Sequence, residues 1–218
     1  MLRHVIQVTC VAGSALLSSL PASAAERFIV MAFDDVAAGA DEAVYTACKN
    51  ARLDGASPSG LISAQRFSLN DVQMFGGVRV QMPKYLTLFE LTASDEVAAA
   101  KSVDDSALQH PCAGTDPAKS LRYVYRASGD TMQRTHPDPK IPADGTARQS
   151  YAHIVFTVPN DAVKDQFEGW YFSCHMPEIL ERTGLVSGQR GVGGTGTGAI
   201  AATATMGLYR IELPSGMT

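Results

Sequence analysis

The spacing of apolar residues changes period several times along this chain, and each change predicts a new element. Residues 28–33 are all apolar, which is typical of a short strand buried on both faces. Within residues 40–52, Ala43 and Val44 are each followed four positions later by another small or apolar residue, which predicts a helix packed against a sheet. Residues 61–69 predict a second strand.

Two further strands and a helix follow in the first half of the chain. Residues 85–91 alternate aromatic or polar residues with leucine, as a strand does. Ser94 precedes Asp95 and Glu96, and a capping residue before an acidic turn predicts a helix start. With a fourth strand at residues 121–126, the predicted order is β-α-β-β-α-β, which is typical of a ferredoxin-like unit.

A second copy of this pattern is predicted from residue 151. Its first strand has a strongly apolar face and a less apolar face, the latter formed by Tyr151, His153, Val155 and Thr157. A helix follows, with Phe167, Trp170 and Tyr171 at helical spacing. Strands are then predicted at residues 184–190 and 205–211, with a glycine-rich hairpin tip at 191–198. The pattern predicts a second unit without its last helix and strand.

Matching residues support a duplication. Tyr171 follows Tyr45 by 171 − 45 = 126 positions, and Cys174 follows Cys48 by 174 − 48 = 126 positions. Nearly constant offsets of this kind are typical of duplicated units. The predicted organisation is a signal peptide at 1–24, a ferredoxin-like repeat at 25–127, a linker at 128–150 and an incomplete ferredoxin-like repeat at 151–218.

The amino terminus reads as a secretory signal peptide. Arg3 and His4 precede an apolar stretch at residues 5–17, and Ala22-Ser23-Ala24 supplies small residues for cleavage. The apolar stretch is shorter than the roughly 20 residues of a membrane-spanning helix. We therefore expect a periplasmic or secreted protein with no membrane span.

Net charge argues against nucleic-acid binding. Removal of residues 1–24 leaves 218 − 24 = 194 residues and loses one basic residue, so 17 − 22 gives a net charge of −5. Phosphate backbones need clustered basic residues, and this chain has no basic run. We expect a small-molecule partner, and a homodimer is left open.

Three cysteines remain after cleavage, so at most one internal disulfide can form. Cys48 and Cys174 hold matching positions on predicted helices, and half-buried unbonded cysteines are favoured over a bridge. Cys112, His110 and His136 lie in predicted loop and linker segments, and their spacing matches no zinc pattern. No metal site is expected.

One motif in the second copy carries a family resemblance. Trp170-Tyr171-x-x-x-His175-x-Pro177, followed by Gly184-Leu185-Val186-Ser187-Gly188-Gln189-Arg190, resembles the EthD-like branch of the dimeric α/β-barrel superfamily. The resemblance implies an α+β fold in which two ferredoxin-like repeats form an intrachain pseudo-dimer around a cavity. Members of the superfamily include isomerases, polyketide cyclases, aldoxime dehydratases and haem-binding proteins.

Two histidines are the candidate catalytic residues. His175 is predicted at the carboxyl end of a helix, just before Met-Pro, where an imidazole can serve as general acid or base. A helix-capping role is the structural alternative. His153 lies on the less apolar strand face, which we expect to face the cavity. A partly buried histidine bonded to a neighbouring strand is the alternative there.

Aromatic and basic residues are the candidate substrate-binding groups. Arg66 and Arg190 occupy matching strand positions and suit a carboxylate, carbonyl or phenolate. A solvated or ion-paired arginine is the structural alternative. The aromatic candidates are Tyr85, Tyr171 and Tyr209, with Phe89 expected on the same cavity face and aromatic core packing as the alternative. Trp170 is expected to pack in the core.

These observations favour an exported enzyme without a cofactor. The expected reaction is acid/base isomerisation, cyclisation or elimination of an aromatic or cyclic organic substrate, with His175 as the acid/base group. Two alternatives stay open: a non-catalytic small-molecule-binding protein, and a haem protein with His175 or His153 as axial ligand.

Overall fold

The computed structural model describes residues 25–55, 58–69, 74–75, 78–79, 82–106, 111–141, 148–197 and 205–215. The predicted signal peptide and His110 lie outside these residues. The α+β class is confirmed, because helices and antiparallel strands alternate along the described chain.

The described residues form nine strands in chain order: β1 (Glu26–Asp34), β2 (Leu61–Ser68), β3 (Met74–Phe75), β4 (Val78–Arg79), β5 (Tyr85–Ala93), β6 (Leu121–Gln133), β7 (Arg148–Thr157), β8 (Leu185–Thr197) and β9 (Thr205–Pro214). The helices are α1 (Glu42–Gly55), α2 (Glu96–Asp104), α3 (Lys164–Trp170) and α4 (Met176–Leu180), and a π-helical turn, Tyr171–His175, joins α3 to α4. No helix among the described residues is long and apolar enough to cross a membrane.

Seven of these strands form one antiparallel sheet in the order β2-β5-β1-β6-β8-β9-β7. We call β1, β2, β5, β6 and their helices the first half, and β7, β8, β9 and theirs the second half. The halves join where β6 pairs with β8. The strands β3 and β4 form a separate hairpin.

The predicted hairpin tip at residues 191–198 is wrong over its described part, because β8 continues to Thr197. Its glycines fit beside the tyrosines of β6. A Cβ at Gly196 would lie 2.3 Å from the Tyr123 ring, and a Cβ at Gly191 would lie 2.8 Å from Tyr125. These positions are glycine because the two strands and the tyrosine side chains approach too closely for any other residue.

The sheet curls so that strands far apart in its order meet on the concave side. Phe156 of β7 lies 6.0 Å, ring centre to ring centre, from Tyr123 of β6, although β8 and β9 separate the two strands in the sheet. Arg210 of β9 forms an ion pair with Glu90 of β5 and a hydrogen bond to Gln65 of β2. The two halves are therefore joined across the curl as well as along it.

Apolar side chains from both halves fill the concave side. Their buried members come from four strands, β1, β5, β6 and β9: Ile29, Met31, Phe33, Leu86, Leu88, Tyr123, Tyr125, Met206 and Leu208. The helices cover the opposite, convex side, where α2 packs on the first half and the α3–α4 segment packs on the second.

Candidate functional site

The residues predicted to face a cavity inside the curl face the helices instead. Tyr85 and Phe89 pack with residues of α1 and α2, and Tyr209 packs with the α3–α4 segment. His153 shares this side and is exposed, while its neighbours Ala152, Ile154 and Phe156 pack on the concave core. The predicted placement is wrong, because alternation identifies which residues share a face but not which face turns inward when both are covered.

Two arginines at equivalent positions organise the convex side. Arg66 of β2 lies opposite Thr87 of β5, and Arg190 of β8 lies opposite Gly207 of β9, at the same place in each half. Both guanidinium groups are buried. Both arginines are ion-paired, which agrees with the structural alternative to substrate binding, and neither is solvated.

The Arg66 cluster contains Asp34, Tyr45, Lys49 and Thr87. Arg66 donates to both Asp34 oxygens, at 2.8 and 3.3 Å, and to the hydroxyl oxygens of Thr87 and Tyr45. Lys49 of α1 places its Nζ 3.0 Å from Asp34 Oδ2. One buried carboxylate therefore lies between two buried cations.

Electrostatics in this cluster stabilise the charged form of Asp34. Burial alone would raise the pKa of the Asp34 carboxyl, but Arg66, Tyr45 and Lys49 together hold it below its ordinary value. Burial and the neighbouring Asp34 raise the pKa of the Tyr45 phenol. Tyr45 therefore acts as a neutral hydrogen-bonding group.

A disulfide holds the loop after α2 against this cluster. Cys48 of α1 is bonded to Cys112, so the prediction of an unbonded Cys48 is wrong. The bond depends on a chain return that sequence spacing does not reveal. Cys174 is free, as expected, but it is exposed.

A cavity of about 280 Å³ lies between β1, α1 and the disulfide-held loop, and we call it the Lys49 cavity. Its polar lining comprises Asp34, Lys49, Thr115, Ser120 and Arg122. Apolar residues complete the lining, among them Pro111 and Pro117 of the disulfide-held loop, while Phe33 and Leu121 also line the cavity but direct their side chains into the concave core. Buried charges beside apolar walls are typical of a small-molecule site.

Sequence reasoning missed Asp34 and Lys49 as site residues. Asp34 closes a wholly apolar strand, and Lys49 occupies the helix position that matches His175. A buried charge at the end of an apolar strand was the available signal, since it needs a buried partner.

The Arg190 cluster in the second half is built differently. Arg190 is 0% exposed and donates from Nε and Nη2 to the two Glu168 oxygens, at 3.3 and 2.8 Å. Its Nη1 and Nη2 also donate to Thr157 and Thr205. The guanidinium carbon lies 3.9 Å from the centre of the Tyr171 ring.

A tyrosine pair lies beneath this arginine. The hydroxyls of Tyr171 and Tyr209 share a 2.6 Å hydrogen bond, and burial together with that bond raises the pKa of Tyr209. A Cβ at Gly207 would lie 2.4 Å from the Tyr171 hydroxyl. The absence of a side chain at Gly207 therefore makes room for the pair.

His175 occupies the last position of the π-helical turn. The prediction that a helix ends there is wrong, because α4 carries the helix on to Leu180. The imidazole stacks on Trp170 at 4.9 Å and meets the Tyr171 ring edge-on at 4.9 Å. Trp170 is 48% exposed rather than buried in the core as predicted.

The predicted site residues therefore separate into two clusters. Arg66 and Tyr85 belong to the first half, where the Arg66 guanidinium carbon lies 4.6 Å from the Tyr85 ring centre. The second half brings together Arg190, Tyr171, Tyr209 and His175, and the His153 ring lies 6.2 Å from that of Tyr209. Within the described ranges, no three His, Cys, Asp or Glu side chains are placed to hold a metal ion.

Comparisons with known proteins give no relative. No protein-family model matches the sequence, and no match was found among curated proteins or among solved structures.

Proposed function

We propose that this protein binds a small organic acid in the Lys49 cavity. The observation that carries the proposal is the buried Asp34–Lys49 ion pair, which lies in the wall of a cavity of about 280 Å³. Ligand pockets are commonly about 300–1,000 Å³. The cavity therefore suits a single-ring molecule, in keeping with the aromatic or cyclic ligand expected from the sequence.

The charge of the cavity favours an anion. Asp34 supplies one negative charge, while Lys49 and Arg66 supply two positive charges within hydrogen-bonding distance of it. The Lys49 ammonium has three donors, and the Asp34 oxygen accepts one of them. A ligand carboxylate beside Lys49 would balance the remaining charge through a charge-assisted hydrogen bond.

The walls favour an apolar body attached to that carboxylate. Pro111 and Pro117 lie in the loop that the disulfide holds and offer apolar side chains to the cavity. Burial of a ring against these side chains supplies hydrophobic binding energy of about 25 cal/mol per Å².

The proposal includes the finer architecture and the exported location. The order β2-β5-β1-β6 is that of a complete ferredoxin-like unit, and β8-β9-β7 is the same order without a last strand, which supports two repeats in one chain. The Cys48–Cys112 disulfide supports an oxidising compartment such as the periplasm. We also propose that this chain is related to the EthD-like branch of the dimeric α/β-barrel superfamily.

Calorimetric titration with single-ring carboxylic acids and their neutral amides tests the binding site. We expect Lys49→Gln to weaken binding of the tightest acid at least tenfold, which is about 1.4 kcal/mol. The control is Lys101→Gln, whose side chain is 69% exposed, and it should bind like the wild type. Equal affinity in both variants, or equal binding of acid and amide, would contradict the proposal.

A second candidate function is acid/base catalysis at His175. The π-helical turn favours it, since such turns occur frequently at functional sites and this one brings His175 against Tyr171. Once a converted substrate is found, His175→Ala should abolish turnover while circular dichroism stays unchanged. Full turnover in a folded His175→Ala variant would remove this candidate.

A further inference from the structure

The two arginine clusters differ in where their carboxylate comes from. In the first half Asp34 is part of β1, and its side chain is 12% exposed. Asp34 pairs in register with Tyr85 in the first half. The matching pair in the second half is Thr157 with Thr205, so Thr157 occupies the position that corresponds to Asp34. The carboxylate of the second cluster comes from Glu168 on α3 instead.

Glu168 is the exposed member of its ion pair. Its side chain is 37% exposed, whereas Arg190 beneath it is 0% exposed. Its two oxygens occupy the Nε and Nη2 edge of the guanidinium, which is the edge that a ligand carboxylate uses in a bidentate pair. Glu168 therefore lies between solvent and a preformed carboxylate receptor.

Arg190 also has partners other than Glu168. Thr157 accepts a hydrogen bond from Nη1, Thr205 accepts one from Nη2 beside Glu168, and the Tyr171 ring lies against the face of the guanidinium group. A neighbouring surface suits an aromatic ligand, because Phe167 lies 5.3 Å from the guanidinium carbon and 5.9 Å from the half-exposed Trp170.

We propose that Arg190 is a second carboxylate-binding site, which Glu168 fills from within and an aromatic carboxylate fills when Glu168 turns to solvent. The site is separate from the Lys49 cavity and does not depend on ligand binding there. Because Glu168 is tethered beside Arg190, its high effective concentration keeps binding of external carboxylates weak in the wild type.

Replacing Glu168 removes the tethered carboxylate and so tests the proposed Arg190 site directly, with benzoate as the probe ligand. Trp170 is the only tryptophan in the chain, so its fluorescence reports on this surface. In Glu168→Ala we expect benzoate to cause a saturable fluorescence change with at least tenfold tighter Kd than in the wild type, and to raise Tm. Benzamide, the neutral analogue, should do neither.

Matched variants separate this site from its surroundings. Glu178→Ala removes an exposed glutamate from the adjoining α4 and should leave benzoate binding as in the wild type. The fluorescence response to benzoate should persist in the double variant Glu168→Ala/Lys49→Gln. Since Lys49→Gln weakens the Lys49 cavity, a persisting response shows that benzoate binds elsewhere. If Glu168→Ala does not fold, Glu168→Gln is titrated in its place. Benzoate binding no tighter than in the wild type, or equal effects of benzoate and benzamide, would overturn the proposal.

Discussion

Replacing Asp34 with asparagine is expected to lower the free energy of unfolding by about 4 kcal/mol at neutral pH. The neutral amide leaves Arg66 and Lys49 buried together without a counter-charge, and uncompensated buried charge is the costly outcome of breaking such a cluster. Urea denaturation measures the loss. Asp130→Asn is the control, since Asp130 is exposed on β6 and should change stability by about 0.5 kcal/mol or less.

The effect of Asp34→Asn on the free energy of unfolding should depend on pH. The pKa of Asp34 in the folded protein lies below the ordinary aspartate value of about 3.9. The carboxylate therefore stabilises the fold fully above a pH of about 3.9, and this stabilisation is lost as the pH falls through the folded-state pKa. The stability difference between wild type and Asp34→Asn should therefore shrink as the pH is lowered below about 4. A difference that stays constant down to the acid transition would contradict the assigned charge state.

Loss of the disulfide is the second large effect. The Cys48–Cys112 bond closes a loop with a sequence separation of 64, and loop-closure entropy for that length corresponds to about 4 kcal/mol. Cys48→Ser/Cys112→Ser should lose that stability in denaturant. A reducing agent should lower the stability of the wild type by a similar amount and leave the double variant unchanged.

Cys174 provides the matched control for the disulfide. It is free and exposed on the helical segment that matches α1, so Cys174→Ser should alter stability by about 0.5 kcal/mol or less. Equal stability of the double variant and the wild type would show that the loop after α2 holds its place without the bond.

Local patterns were enough to predict most of the strands and helices. Strand and helix periods depend on nearest neighbours, so β1, α1, β5 and β9 were all recognised close to their observed bounds. Arg66 and Arg190 were matched from sequence, and the sheet register puts them at the same place in each half.

Predictions that depended on tertiary contacts were less accurate than predictions from local sequence patterns. Both faces of the sheet are covered, so the orientation of His153, Tyr85 and Tyr209 could not follow from alternation alone. Met-Pro after His175 suggested a helix end, but Pro177 lies in the first turn of α4, where a missing amide hydrogen is tolerated. The π-helical turn absorbs the irregularity.

The candidate site depended on contacts between residues distant in sequence. Lys49 reaches Asp34 only because α1 packs back on β1, and Cys112 reaches Cys48 only because the loop after α2 returns to α1. The glycine-rich segment at residues 191–198 suggested a hairpin tip, while its described glycines let β8 lie against Tyr123 and Tyr125.

A crystal structure of the protein soaked with the tightest acid from the calorimetric panel tests the central claim most directly. We predict ligand density in the Lys49 cavity, with a carboxylate oxygen about 3 Å from Lys49 Nζ and the ring against Pro111 and Pro117. Density for the acid elsewhere on the protein, with the Lys49 cavity free of ligand, would contradict the proposed function.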